Sequence, residues 1–241
     1  MNKSIISIMT ILIIVIVSTS AYAQPLFQFG GNLTIGLPQN EFKDNVQNTG
    51  FGGTGNFSFH FPQTPLAIGI SGTFLIYGSE TREEPFSTTI PDVFVDVATT
   101  NNIVMGHVLL RLQPPRGIVK PYLDGLFGLN YLWTRTTIKN QSNNEEVASS
   151  TNFDDITFGY GFGGGLMIRV YDASSRRNRR NGLNAVYIDL GLRYLRGGEA
   201  EYLKEGSIRI ENGRVRYDVN KSTTDILMIH IGASITFNPS E

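Results

Sequence analysis

The sequence has no cysteine, one tryptophan and three histidines, and Asp, Glu, Lys and Arg together make up only 17% of it. Each scarcity closes off a class of protein. Without cysteine there is no disulfide framework, no thiol nucleophile, no thiolate metal site and no lipoprotein anchor. A formal net charge of −1 gives no basic footprint for nucleic acid, so no nucleic-acid partner is expected. After residue 24 no long stretch has helical periodicity. The longest apolar run, Ile5 to Val17, is broken only by Ser7 and Thr10. It is shorter than the roughly 20 residues that a spanning helix needs.

That run has the marks of an export signal. Lys3 supplies a cationic start, and small residues at Ala21 and Ala23 give the A-x-A pattern of a cleavage site. Cleavage after Ala23 is expected, leaving residues 24–241 as one domain and Gln24 as the new N-terminus. Loss of Lys3 takes the formal charge to −2.

The remaining chain is rich in glycine (26 residues), and hydrophobic residues form 41% of the whole. Its recurring pattern is alternation with period two, the signature of strands with two different faces. The segments 26–37, 50–62, 67–78, 101–113, 119–138, 154–171, 184–198 and 225–237 show it. Most reach the roughly 9–11 residues that a tilted strand needs to cross a bilayer. In the second, Phe51, Phe57, Phe59 and Phe61 share one face, and Thr54, Asn56, Ser58 and His60 the other. In the fifth, Leu123, Phe127, Leu129, Tyr131 and Trp133 oppose Asp124, Gly128 and Asn130.

A soluble barrel also alternates, with its apolar face inward. The polar face decides between the two. A wet strand face carries many Lys and Glu, whereas this one carries Gly, Ser, Thr and Asn with sparse Arg, Asp and His. Of six lysines, only Lys120 and Lys139 fall near a strand, each at an end. Small neutral residues suit a narrow packed interior, so the apolar face is expected to meet lipid. The expected fold is therefore an all-β, eight-stranded, antiparallel up-and-down transmembrane barrel in the bacterial outer membrane.

Connection lengths agree. The turns at 63–65 and 114–117 are short and Pro-rich, as periplasmic turns should be. The stretches 38–49, 79–100, 139–153 and 199–224 are long and polar, as outer loops should be. Aromatics fall where strands meet the interface, which is half wet and half apolar. Phe27, Phe29, Phe59, Phe61 and Phe237 are expected at the periplasmic rim, and Phe51, Tyr131, Trp133, Phe158, Tyr160 and Tyr194 at the outer one.

Two stretches, Lys120-Pro-Tyr-Leu-Asp-Gly-Leu-Phe-Gly-Leu-Asn-Tyr131 and Phe158-Gly-Tyr-Gly-Phe-Gly-Gly-Gly-Leu166 running on to Arg169, make the chain resemble the OmpA/OmpX-like family of small outer-membrane barrels. The resemblance implies insertion by the barrel-assembly machinery, which reads an aromatic-ended last strand. Phe237 supplies the aromatic, though Asn238 to Glu241 follow it.

The candidate site is the lumen. Arg111, Asp124, Arg169, Asp189 and Arg193, with His60, His107 and His230, all project inward by this register. Buried charges must be paired, so an ion-pair network that fills the barrel is favoured over a selective pore. Three His could bind zinc, but they lie on strands too far apart, and no metal or cofactor is expected. Gly50 to Gly55 and Gly159 to Gly164 match G-x-G-x-x-G, but no helix follows to hold a pyrophosphate. The basic turn Arg176-Arg-Asn-Arg-Arg180 is favoured as solvated, with contact to inner-leaflet phosphates as the alternative.

Together these features point to a non-enzymatic barrel, expected to be monomeric, with an envelope-structural or surface-binding role. Its partners would be outer-membrane lipid and lipopolysaccharide, and a ligand of the loops. A small solute channel is the second reading. A lipid-modifying enzyme is the third, and it would need a His on the lipid face, where none falls.

Overall fold

The structure, a computed structural model, describes residues 26–87, 90–140, 145–173, 183–211 and 214–237. The expected signal peptide and the Arg176–Arg180 turn lie outside them. Eight long strands close a ring: β1 (Leu26–Pro38), β2 (Gly50–His60), β3 (Leu66–Ser87), β4 (Ile90–Leu112), β5 (Val119–Asn140), β6 (Glu146–Asp172), β7 (Leu183–Gly197) and β12 (Ile226–Phe237). Each pairs antiparallel with its sequence neighbour, and β1 closes on β12 from Phe27↔Phe237 to Pro38↔Ile226. A closed ring satisfies its backbone groups internally and leaves no edge towards lipid. One short helix, α1 (Asn40–Asn45), follows β1. Four short strands, β8 (Glu199–Tyr202), β9 (Ile208–Glu211), β10 (Arg214–Tyr217) and β11 (Asn220–Thr223), stand between β7 and β12.

The burial pattern is inverted relative to a protein in water. Leu33 is 74% exposed and Phe162 69%, while Arg193 is 1% exposed and Asp189 0%. Leu110, Leu123, Phe127, Leu192 and Ile231 continue the apolar belt around the ring. An apolar band on this scale is not stable against water. It is the surface that a bilayer covers, and the ring is a transmembrane barrel.

Strand length divides the ring into two halves. β1, β2, β7 and β12 have 13, 11, 15 and 12 residues, about what the bilayer requires. β3 to β6 have 22, 23, 22 and 27. Their pairing continues to Ser87↔Ile90, Val95↔Asn140 and Lys139↔Glu146. Half the barrel wall thus rises beyond the membrane as a four-stranded sheet. This corrects the expectation of loops at 79–100 and 139–153, which are largely paired strand. Above the bilayer the outer face meets water instead of lipid, so hydrophobic alternation fades there. Val95, Val97, Thr99, Thr136 and Thr137 still favour a pleated backbone.

On the short side the outer connections fold over the mouth. β8 pairs with β11 and β9 with β10. This segment bridges the two free edges of the raised sheet. Towards β6, the Glu201 amide donates to Asp155 Oδ2 (2.8 Å) and the Gly198 amide to the Phe158 carbonyl (2.7 Å). Towards β3, the amides of Ser79 and Gly206 donate to Glu205 Oε1 (2.9 Å) and Glu80 Oε2 (3.0 Å). Asn40 ties α1 to the same segment by donating to Asp225 Oδ2 at 2.7 Å.

Under this cover sits an apolar plug. Phe42 of α1 is fully buried and stands edge-on to Tyr77 (5.6 Å between centroids) and Tyr202 (5.2 Å). Leu75, Ile103, Met105, Leu132, Leu195 and Met228 belong to the same buried cluster, which reaches Leu109 and Leu126 in the lumen. The alternation assigns small polar residues to the inward face, and the plug adds a buried apolar cluster that it does not reveal. Its residues hide in the sequence because they adjoin outward apolar ones, as in Ile103-Val104-Met105 and Leu126-Phe127. Phe42→Ala should lower the unfolding free energy by about 3–5 kcal/mol through the cavity it leaves. Urea unfolding in lipid vesicles checks this, and wild-type stability would show that the helix does not seal the mouth.

Candidate functional site

The strands that carry the charged lumen residues place them by simple alternation. Odd-numbered residues of β4 and β7 and even-numbered residues of β5 and β12 point inward. They bring Arg111, Tyr122, Asp124, Asp189, Arg193 and His230 into one buried layer. Asp124 is its centre. Arg111 grips it with a two-pronged contact, Nε to Oδ1 at 2.7 Å and Nη2 to Oδ2 at 2.8 Å. Arg193 reaches across from β7 and donates through Nη2 to the same Oδ2 at 2.9 Å. It also donates to Asn56 Oδ1 on β2 and Ser71 Oγ on β3, each at 3.0 Å. One guanidinium thereby ties β7 to β2, β3 and β5 through the middle of the barrel.

A second carboxylate completes the set. The Tyr122 hydroxyl donates to Asp189 Oδ1 at 2.8 Å, and Ser234 donates to Oδ2 at 3.4 Å. A hydroxyl has one proton to give, so His230 Nε2, 3.0 Å from the Tyr122 oxygen, is the donor in that contact. The Arg111 guanidinium lies 4.0 Å above the Tyr122 ring. Two Arg and two Asp balance in charge, as a buried layer requires. Above them Thr34, Thr54 and Thr73 bond hydroxyl to hydroxyl across β1, β2 and β3 at 2.7 and 2.9 Å.

Glycine makes room for the large members. A Cβ at Gly163 of β6 would collide with Arg193, and one at Gly191 with Tyr122 and His230. The Gly159–Gly164 motif therefore lies in a strand, facing lumen side chains, and no helix follows it.

The other expected site residues lie apart from this layer. Arg169 faces inward as expected but stands at the strand end, away from the charged layer. It is part-exposed at the periplasmic mouth and pairs with Asp172 (2.8 Å), not with Asp189. It keeps the inward register, opposite Tyr187, and the strand bulges only after it, between Arg169 and Tyr171. His60 is also near that mouth, 3.4 Å from Ser58 Oγ. His107 is buried on β4, and its Nε2 has no protein partner among the described residues. Among those residues no group of His, Asp or Glu is placed to hold a metal. Tyr122, Asn56, Ser71 and Ser234 complete the network but were not singled out from sequence. Alternation puts each on the inner face, so the signal was present.

The aromatics gather in two sets. At the periplasmic end Phe27 stacks on Phe57 (5.8 Å) and Phe237 (5.7 Å) and meets Phe59 edge-on (5.5 Å); Phe59 in turn meets Phe61 at 5.3 Å. Phe29 is exposed just above. On the other side Tyr131 stacks on Trp133 (5.3 Å), Phe127 meets Phe158 at 4.4 Å, and Tyr194 approaches Phe162 at 6.2 Å. Phe51 and Tyr160 are exposed beside them. The hydroxyls of Tyr131 and Tyr194 donate to Asp154 and Asp225, each at 3.2 Å, as amphipathic rings at a wet boundary do.

The ring, its lipid-facing belt and its filled lumen define the class: a small outer-membrane-type β-barrel. No family model matches the chain, and no curated relative does either. Solved structures similar to it are small outer-membrane barrels. Neisserial surface protein A is 12% identical at a TM-score of 0.37, over 88% of this chain and 97% of that one. The attachment invasion locus protein Ail of Yersinia pestis is 13% identical at 0.34, over 89% and 99%. OprG of Pseudomonas aeruginosa is 13% identical at 0.40, over 91% and 99%.

Asp124→Asn should cost about 3–5 kcal/mol of unfolding free energy, because it leaves two buried guanidiniums short of their counter-charge. Glu146→Gln, which breaks the half-exposed pair with Arg135 (3.4 Å), should change it by less than about 0.5 kcal/mol. Equal effects in urea titrations would contradict the central place given to Asp124.

Proposed function

We propose that the protein is a non-enzymatic, non-conducting barrel of the outer membrane whose raised β3–β6 sheet serves an envelope-structural or surface-binding role. One observation carries this reading. The lumen is filled twice, by the charged layer around Asp124 and by the apolar plug under α1, while strand length is invested above the bilayer. Eight strands leave room for side chains and little else. A rigid sheet held off the membrane and strapped at both edges is a platform of the kind on which binding surfaces sit. Exposed Phe94, Val147 and Tyr217 give that platform and its strap apolar contact points.

Lipopolysaccharide and phospholipid would surround the belt, and the barrel-assembly machinery would insert the chain after removal of its signal peptide. All three histidines are buried in the lumen, which supports a non-enzymatic reading over a lipid-modifying one.

The folded protein in a planar bilayer should produce no discrete conductance steps. Steps that change size when Arg193 is replaced by Gln would overturn the proposal in favour of a solute channel.

A further inference from the structure

At the periplasmic end the packing gives way to open space. A cavity of about 810 Å³ takes in His60, Arg116 and Lys120. A second, of about 410 Å³, adjoins it through Arg116 and Lys120 and is lined also by Arg169, Asp172 and Tyr187. Lys120 is the unusual member. It is only 3% exposed, and its ammonium lies 4.8 Å over the Tyr187 ring. Among the described residues it has no carboxylate or hydrogen-bond partner. The ammonium opens onto the cavities, a charge with little contact to water is ordinarily paired, and the aromatic face compensates only in part. Among the described residues the one carboxylate lining either cavity, Asp172, is held by Arg169. Three cations therefore face one shared space with a single anion among them, and that anion is already engaged.

We propose that this vestibule binds a phosphate oxyanion, with Lys120 as the buried ligand and Arg116 and Arg169 closing on it from the rim. Phosphate fits better than a lone carboxylate. It offers three or more acceptor oxygens to three separated donors, and guanidinium forks match its geometry. The oxyanion could be a soluble phosphate or the headgroup of an inner-leaflet phospholipid.

The test uses the folded protein in maltoside micelles, which contain no phosphate, with inorganic phosphate titrated calorimetrically at low salt. Saturable binding is expected. Lys120→Gln should weaken it about tenfold or more, the loss of one charged hydrogen bond. Arg116→Gln, at an exposed turn position, should weaken it too. Arg135→Gln, on the raised sheet, should leave it unchanged. The heat-shifted gel band checks folding of each variant. Repeating the titration with phosphatidylglycerol in the micelles separates the two sources. Competition would assign the site to headgroups and its absence to soluble phosphate, and both outcomes support the proposal. It is overturned if the folded wild type takes up no phosphate, or if Lys120→Gln and Arg116→Gln bind it as the wild type does.

Discussion

The Asp124 carboxylate is the point on which the interior depends. An eight-stranded ring is too narrow to hold bulk water and too wide to be filled by small residues alone. Two guanidiniums fill the space, and Asp124 is what lets them stay there charged. Arg193 can cross the lumen because Gly163 leaves it room and because Asn56, Ser71 and Asp124 receive it on three other strands. The small inward residues of β2, β3 and β6 are therefore complements to a few large ones. The outward face carries no such constraint beyond being apolar, which is why Leu, Ile, Val and Phe serve there interchangeably.

A second boundary, between lipid and water, shapes everything above the charged layer. Four strands stop near it and four continue. A continuing sheet creates two free edges, and free edges invite unwanted pairing. The segment between β7 and β12 answers this by donating and accepting hydrogen bonds at β6 and β3. The same segment carries Tyr202 and, through Asp225, fixes α1, so that sheltering the edges and plugging the mouth are one structural act.

The parts legible in the sequence are those where lipid and lumen impose opposite demands on adjacent residues. That contrast made the eight strands readable, along with the inward set Arg111, Asp124, Asp189 and Arg193 and the ring pairs at both rims. Where the contrast vanishes, so did the signal. Above the membrane Thr81, Glu83 and Arg135 lie on paired strands, but an outer face that meets water instead of lipid leaves little alternation to find. In the upper lumen Met105 and Leu126 point inward beside outward Val104 and Phe127, and apolar meets apolar without a phase. Alternation gives Arg169 its inward face but not its depth: it stands at the strand end, part-exposed and paired with Asp172. Lys120 stands at a strand end, but nothing in its neighbours announces that its side chain folds inward over Tyr187.

The whole fold depends on the apolar face of the ring meeting lipid. The absence of cysteine makes one measurement clean: single cysteines placed at Leu110, Leu190 and Ile231 on the belt, and at Val147 on the raised sheet, each spin-labelled in the reconstituted protein. Belt labels should relax strongly with molecular oxygen and hardly at all with a water-soluble nickel chelate, and the label at Val147 should do the reverse. Belt labels open to the nickel chelate and shielded from oxygen would contradict the account and turn the barrel inside out.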